Sequence, residues 1–465
     1  MYNLTVRDII KESNGKLIIG DENKECIDFC TDTRKIKNGD VYIGLKGEKF
    51  NGSDFYKQAL ELGASVCVLQ DIEVDEDVKE KYNDRSIIIV EDTLNTLQKL
   101  AALKRSKYDI PVIAITGSVG KTSTKDMIAS VVSQKYNVLK TEGNFNNHIG
   151  LPLTILRLKD HDAMVVEMGM NNLGEISLLT NIARPTIAII TNVGTAHIGN
   201  LGSRENILKA KLEILEGLEN NGTLIINNDN DMLHMWNEKN KEYNVLDFGI
   251  ENDSNILARD IIISPDSISY KVVYNNKEQI VEVPIASKPF IYNSLSAICV
   301  GKILDIDINK ITKGIREFKL TKNRMEIETI NSITIVNDCY NANFDSMKAS
   351  IESLSKMNGT RKIAILGDML ELGDFSKKLH SDIGLEICKN NIDILVTVGD
   401  ESKNIASTAI DNGMRKEAVY TFQTNIDVIN FINSIKKAGD IILIKASNGM
   451  HFLEIVNSLK FALNG

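Results

Sequence analysis

The 465-residue sequence predicts an α/β protein of three domains: a small α/β N-terminal domain, a central mostly parallel sheet resembling P-loop NTPases, and a C-terminal Rossmann-like domain. Three observations carry that expectation. Strand-like and helical runs alternate along most of the chain. A Gly-rich turn joins the apolar strand "PVIAIT" directly to a helix. Beyond about residue 319 the strand–helix pattern repeats, with "ITIVND", "KIAILGD", "DILVTVGD" and "DIILIKAS" as four β-runs separated by helical segments.

The expected domains span 1–108, 109–318 and 319–465. In the first, "DVYIGLKG", "ASVCVLQ" and "SIIIVED" read as strands and "GSDFYKQALELG" as a helix. The amphipathic "LNTLQKLAALKRSKYD" ends in a charged, turn-like segment before Pro111, which marks a boundary. In the second, "AMVVEMG", "TIAIITNVG" and "GTLIINND" are continuously apolar, the signature of parallel strands covered on both faces. "ISYKVVYNNKEQIVEVPI" instead reads as an antiparallel hairpin. "YNSLSAICVGKILDI" and "INKITKGIREFK" read as helices that close the domain.

Composition narrows the function. Hydrophobic residues make up 43% and charged residues 25%, ordinary values for a globular chain. A net charge of −9 argues against a broad nucleic-acid footprint. No apolar run approaches the ~18 residues of a membrane helix, and "MYNLTVRDIIKESNGK" lacks the layout of a secretory signal. The six cysteines (26, 30, 67, 299, 339 and 388) lack zinc-ligand spacing and read as reduced structural thiols. The expectation is a cytoplasmic monomer without membrane insertion.

The chemistry starts at Gly117-Ser118-Val119-Gly120-Lys121-Thr122-Ser123, a turn shorter than G-x-x-x-x-G-K-[ST]. Glycines let backbone N–H groups converge on phosphate oxygens, and the following helix adds its positive end. Lys121 can reach the terminal phosphates of ATP, and the Thr122 hydroxyl can ligate Mg²⁺. Read alone, the turn says nucleotide binding and leaves the reaction open. "VVEMGMNNLGEI" ends a buried strand at Glu167, near where the turn points. "ITNVGTAHIGNLGSRENILKAKLEI" carries His197 after a strand and Lys211 on a helix.

With these residues in place the chain resembles the Mur ligase family. The resemblance rests on "TEGNFNNHIGLPLT" (141–154), "EMGMNNLGEI" (167–176), "TNVGTAHIGNLGSRENI" (191–207), "YNANFDSM" (340–347), "GDMLELG" (367–373) and the N-terminal "TDTRKIKNGDVYIGLKGEKFNG" (31–52). It implies ATP-dependent amide-bond formation in peptidoglycan synthesis through an acyl phosphate. The implied substrates are UDP-N-acetylmuramoyl-tripeptide as the acid and D-alanyl-D-alanine as the amine, with ADP and phosphate released.

The resemblance also implies roles. Glu167 and His197 would ligate a second Mg²⁺, although His197 taken alone reads as structural; Lys211 would support that ion if carbamylated, or else is a solvated helix lysine. Asn144, Asn146, Asn147 and His148 would bind substrate, although such a polar cluster also forms turns. Asn293 would contact adenine, or simply cap a helix. Asp338 and Asn341 would meet the nucleotide, and Asn343 lies beside them. Asp345-Ser346 reads equally well as a helix cap, and Lys445 as an anion partner. Thr33, Arg34, Lys46 and Gly47 would hold the uridine diphosphate.

Four residues depart from the family pattern: Pro289-Phe290 where relatives usually carry His-Asn, Phe344 where Pro is usual, and Asn448 where Arg is common. Pro289-Phe290 implies a partly rebuilt adenine pocket, and Phe344 and Asn448 leave room for a Mur-type or folylpolyglutamate-type ligase with another acid or amine. A non-catalytic nucleotide-binding scaffold is disfavoured by the intact Lys121, Thr122, Glu167 and His197.

Overall fold

The computed structural model describes residues 2–264, 266–274 and 277–464. Their contacts group them into two compact units, one of residues 1–116, 135–188 and 212–224, the other of 117–134, 189–211 and 225–465. Three α/β sheets organise the chain, as the sequence predicts.

The N-terminal sheet comprises β1 (Lys16–Ile19), β2 (Phe29–Cys30), β3 (Val41–Ile43), β4 (Val66–Leu69) and β5 (Ser86–Ile89), ordered β1-β5-β4-β3-β2. β2 to β5 run parallel, and β1 is antiparallel to β5. Helix α1 (Thr93–Ser106) starts under an Asp92 cap that accepts from the Asn95 N–H. Near its end Arg105, 5% exposed, donates to the carbonyls of Tyr108, Ala183 and Arg184 at 2.6, 2.8 and 3.1 Å.

The central sheet has nine strands: β6 (Val112–Thr116), β7 (Val138–Lys140), β8 (Ala163–Glu167), β9 (Ile187–Ile190), β10 (Thr223–Asn227), β11 (Asn244–Gly249), β12 (Ile256–Ile263), β13 (Ile268–Tyr274) and β14 (Lys277–Val283). The order is β14-β13-β12-β11-β10-β9-β6-β8-β7. β8 is parallel to both β6 and β7, and all five residues of β6 and of β8 are buried, which explains their unbroken apolar runs. β12 to β14 are antiparallel; the hairpin's Asn275 and Asn276 lie outside the described residues. Helices α2 (Lys121–Val132), α3 (Arg204–Leu212) and α4 (Pro289–Ile303) follow the strands that matter for the site.

The C-terminal sheet has six strands where the apolar runs pointed to four: β15 (Glu326–Ile330), β16 (Ile333–Asn337), β17 (Arg361–Gly367), β18 (Ile394–Val398), β19 (Val419–Phe422) and β20 (Asp440–Lys445). The order is β15-β16-β20-β17-β18-β19, parallel except for β15. The two extra strands are edges. β15 is polar and exposed and β19 only half-buried, so neither carries the apolar run that marks an interior strand. Helix α5 (Phe344–Lys356) follows β16.

The Arg105 contacts generate a stability prediction. Arg105→Ala strands three carbonyls and is expected to lower stability by about 2–4 kcal/mol, with Arg105→Lys intermediate. The first transition of a denaturant titration followed by far-UV circular dichroism checks this.

Candidate active site

The phosphate turn is shaped by close approach. Gly117 has φ +152°, and a Cβ there would collide with the Thr191 hydroxyl; Gly120 has φ +83°. Only glycine meets both demands without strain. Asn192 fixes the turn from the loop after β9: its backbone oxygen accepts from Ser118 N–H at 3.1 Å, and its side-chain oxygen accepts from Ser118 and Val119 N–H at 3.0 and 2.9 Å. Thr191 donates its hydroxyl to the Val119 carbonyl at 2.7 Å. Two N–H groups expected to converge on phosphate are thus spent on Asn192. The phosphate-facing donors then fall to Gly120 and the first turn of α2, where helical N–H groups lack intrahelical acceptors. Lys121 folds back, its Nζ donating to the Gly117 carbonyl at 2.7 Å.

Glu167 ends β8 level with Ile115, two residues before Gly117 in the chain. Its side chain is nearly fully buried and its Oε1 accepts from Asn146 Nδ2 at 2.8 Å. Asn146 is held in turn, because its carbonyl accepts from Gly169 N–H, and a Cβ at Gly169 would press on its amide. The polar cluster therefore divides. Asn146 orients the carboxylate, whereas Asn147 accepts from the N–H groups of Ile149 and Gly150 at 3.2 and 2.9 Å and so starts the next helix. The side chains of Asn144 and His148 are exposed.

His197 adopts the left-handed conformation, φ +63°, ahead of the short helix Ile198–Leu201. Its Nδ1 stands 3.1 Å from Glu371 Oε2, close enough for an ion pair although the ring N–H is not aligned for a hydrogen bond. The histidine holds the Glu371 carboxyl below its ordinary range. Lys211, on α3, is not a solvated helix lysine. It is 1% exposed, and burial, then the charge of Lys121, push its ammonium well below the usual lysine range.

Asn293 is not a cap: it lies inside α4, buried, with its Oδ1 accepting from Thr124 Oγ1 at 3.0 Å and facing Gly120. The helix starts on Pro289, a residue suited to the first turn. Of the Asp345-Ser346 pair only Ser346 takes part in capping α5; Asp345 does not supply the cap. Asn343 does, in a capping box with Ser346, while Asp345 accepts from the N–H and hydroxyl of Thr195. Lys445 does have an anion, the Asp338 carboxylate at 2.5 Å; Asp338 also accepts from Ser350 and Met325. Asn341 accepts from the Asn448 N–H at 3.2 Å.

In the N-terminal sheet, Thr33 opens a 3-10 turn. Arg34 forks onto Asp32 at 2.8 Å, holding that carboxyl down at about 2. Lys46 pairs with Asp71 at 2.9 Å, and Gly47 N–H donates to the Phe50 carbonyl. Asn192, Glu371 and Arg324, whose guanidinium lies 4.0 Å from the Tyr340 ring centroid, were missed from sequence. Nothing in a polar stretch such as "TKNRMEI" announces such a contact.

Comparison with known proteins extends this geometry over the chain. Residues 29–105 match the model described as Mur ligase family, catalytic domain, 115–301 the Mur ligase middle domain, and 323–448 the Mur ligase, glutamate ligase domain. A UDP-N-acetylmuramoyl-tripeptide–D-alanyl-D-alanine ligase of Bacillus subtilis (strain 168) is 38% identical over 464 residues, 99% of each chain. The same-named ligase of Synechocystis sp. is 35% identical over 93% of this chain and 91% of its own. Among solved structures, a MurF from Acinetobacter baumannii superposes with a TM-score of 0.88 at 28% identity, covering 99% of both chains. The MurF ligase from Thermotoga maritima in complex with ADP gives 0.81 at 27%, covering 94% of this chain and 98% of its own.

The Lys211 environment yields a prediction. A lysine whose ammonium is disfavoured in the fold binds fewer protons folded than unfolded, so stability rises with pH up to the unfolded lysine range. Lys211→Met removes that burden and is expected to raise stability at neutral pH by about 1–3 kcal/mol. It should also flatten the pH dependence of the melting temperature between pH 7 and about 10, which differential scanning calorimetry reads.

Proposed function

The chain belongs to the Mur ligase family, and on that premise we propose that it joins D-alanyl-D-alanine to UDP-N-acetylmuramoyl-tripeptide at the expense of ATP, in peptidoglycan precursor synthesis. The observation that carries the reading is full-length likeness to ligases of that name, together with a phosphate turn whose Lys121 and Thr122 open α2.

The chemistry follows from the residues. The tripeptide carboxylate attacks the γ-phosphorus of ATP, ADP leaves, and an acyl phosphate forms. The dipeptide amine then attacks the acyl carbon and phosphate departs with the C–O bond electrons. The barrier is electrostatic, since an anion must approach a triphosphate. Lys121 and the positive end of α2 offset that charge. Asn146 orients Glu167 by donating to one of its oxygens.

Among the described residues no three His, Cys, Asp or Glu side chains gather into a preformed metal group. That fits Mg²⁺, which takes one or two protein oxygens and fills its octahedron with phosphate oxygens and water. Thr122 would hold one such ion and Glu167 with His197 a second, and both would neutralise phosphate charge during transfer. Burial that disfavours the Lys211 ammonium also favours its carbamylation, because only a free amine adds CO₂. The product is an anion beside Lys121.

Domains at 1–108 for the uridine nucleotide, with Thr33, Arg34, Lys46 and Gly47, at 109–318 for ATP and at 319–465 for the amine are part of the same proposal. So are adenine contact by Asn293, nucleotide contact by Asp338 and Asn341, and a monomer acting in the cytoplasm. Among the described residues no helix is long and apolar enough to cross a membrane.

Phosphate release with ATP and UDP-N-acetylmuramoyl-tripeptide is expected to require D-alanyl-D-alanine and to yield the amide-linked pentapeptide by mass spectrometry. Dependence on a different amine would refute the substrate assignment. Lys121→Ala should lower kcat/KM on the order of 10³-fold. Lys211→Ala should be impaired and partly rescued by short-chain carboxylic acids; absence of both effects would remove the carbamate.

A further inference from the structure

We infer that Asp345 is a positioning residue, a single carboxylate on the C-terminal sheet domain that clamps the His197 loop against the phosphate turn. What the clamp does for catalysis rests on the function proposed above; the clamp itself does not.

Asp345 Oδ2 accepts from both the backbone N–H of Thr195, at 2.7 Å, and its hydroxyl, at 2.8 Å. A carboxylate taking two donors at these lengths is among the stronger contacts available to a half-buried loop. Local helix chemistry does not account for it. An acidic residue is favoured in the first turn of a helix, but the side-chain cap of α5 is the Asn343–Ser346 box and not Asp345. The oxygen of Asp345 is therefore free to reach across to another segment.

The loop is built to receive it. A Cβ on Gly194 would overlap the Asp345 carboxylate, so glycine is what permits the approach. Gly194 N–H donates to Ser118 Oγ at 2.9 Å, and Asn343 Nδ2 donates to the Ser118 carbonyl at 3.4 Å. Arg204, which donates to the Val193 carbonyl, feels the charge of Asp345 as well. Ser118, Gly194, Thr195 and the start of α5 thus form one connected patch.

Two residues beyond Thr195, His197 occupies the left-handed conformation and meets Glu371 from the loop after β17. The segment is gripped at both ends by acids, one in the first turn of α5 and one in the loop after β17. Such a conformation persists only where the surroundings over-determine it. Releasing Thr195 frees the loop that carries His197 while leaving Lys121, Thr122 and the turn's bonds to Asn192 in place. The consequence is selective, with the transfer step suffering and nucleotide binding preserved.

The test combines hydrogen–deuterium exchange of the ligand-free chain with steady-state kinetics on Asp345→Ala, Asp345→Asn, Thr195→Val, Thr195→Ser and the Thr195→Val/Asp345→Ala double variant. Asp345→Ala is expected to speed amide exchange across 193–199 about tenfold or more. It should lower kcat roughly 10–100-fold with ADP affinity unchanged, since misplacement of about 1 Å can cost that much. Asp345→Asn, keeping one acceptor oxygen, should recover most of the rate. The double variant should be no slower than Asp345→Ala alone, because both changes remove one interaction.

Wild-type exchange at 193–199, a wild-type kcat, or losses that multiply in the double variant would each overturn the inference. If Asp345→Ala fails to fold, Thr195→Ser should match wild type while Thr195→Val loosens the same amides and slows turnover; equal behaviour of those two would overturn it. Faster exchange in a protein that never forms the pentapeptide would leave the clamp standing and remove the proposed function.

Discussion

The site depends on Gly117 passing directly against Thr191. The end of a fully buried strand must turn into a helix within four residues, beside the end of the neighbouring strand, and only a residue without a side chain fits there. That close approach lets Asn192 reach four hydrogen bonds into the turn, fixing Ser118 and Val119 before any ligand arrives. A turn held this way spends no binding energy on its own ordering, the condition under which a positive helix end is most useful to a triphosphate.

From that fixed turn the electrostatics follow in sequence. Lys121 is the first residue of α2, and Lys211 lies buried close enough for the two charges to repel. Burial discourages an ammonium in such surroundings, so the fully buried Lys211 is the one whose charged form is disfavoured. His197 and Glu371 express the same economy differently, as a lone imidazole at the loop and a carboxylate from the C-terminal sheet meet at 3.1 Å.

Much of this frame was legible in the sequence because it is local. Unbroken apolar runs announce interior parallel strands, and a glycine turn between such a run and a helix announces an anion site. What escaped was either weakly patterned or distant. β15 and β19 lie on sheet edges and carry too little apolar signal. Asn293 looked like a cap because Asn often is one, yet Pro289 begins the helix and Asn293 turns inward to Thr124, 169 positions away in the chain. Asp345 likewise suggested a cap until its partner, Thr195, 150 positions away, came into view. Local rules assign a polar residue to its nearest use, and a fold can supply a better acceptor or donor from far along the chain.

The departures from the family pattern illustrate the same separation between frame and surface. Phe344 stands at the first position of α5, where proline is favoured for its fixed φ. The helix nonetheless starts there, because Asn343 and Ser346 satisfy each other's N–H reciprocally in a capping box. Asn448 is exposed, and its backbone N–H is held by Asn341, so the path of its loop does not depend on its side chain. At Pro289-Phe290 the substitution even adds a good helix start, while Phe290 is buried against Phe318. In each case backbone placement is carried by a neighbour, which frees the side chain to vary. At these positions the side chain, and not the backbone, is therefore where the chain departs from the pattern.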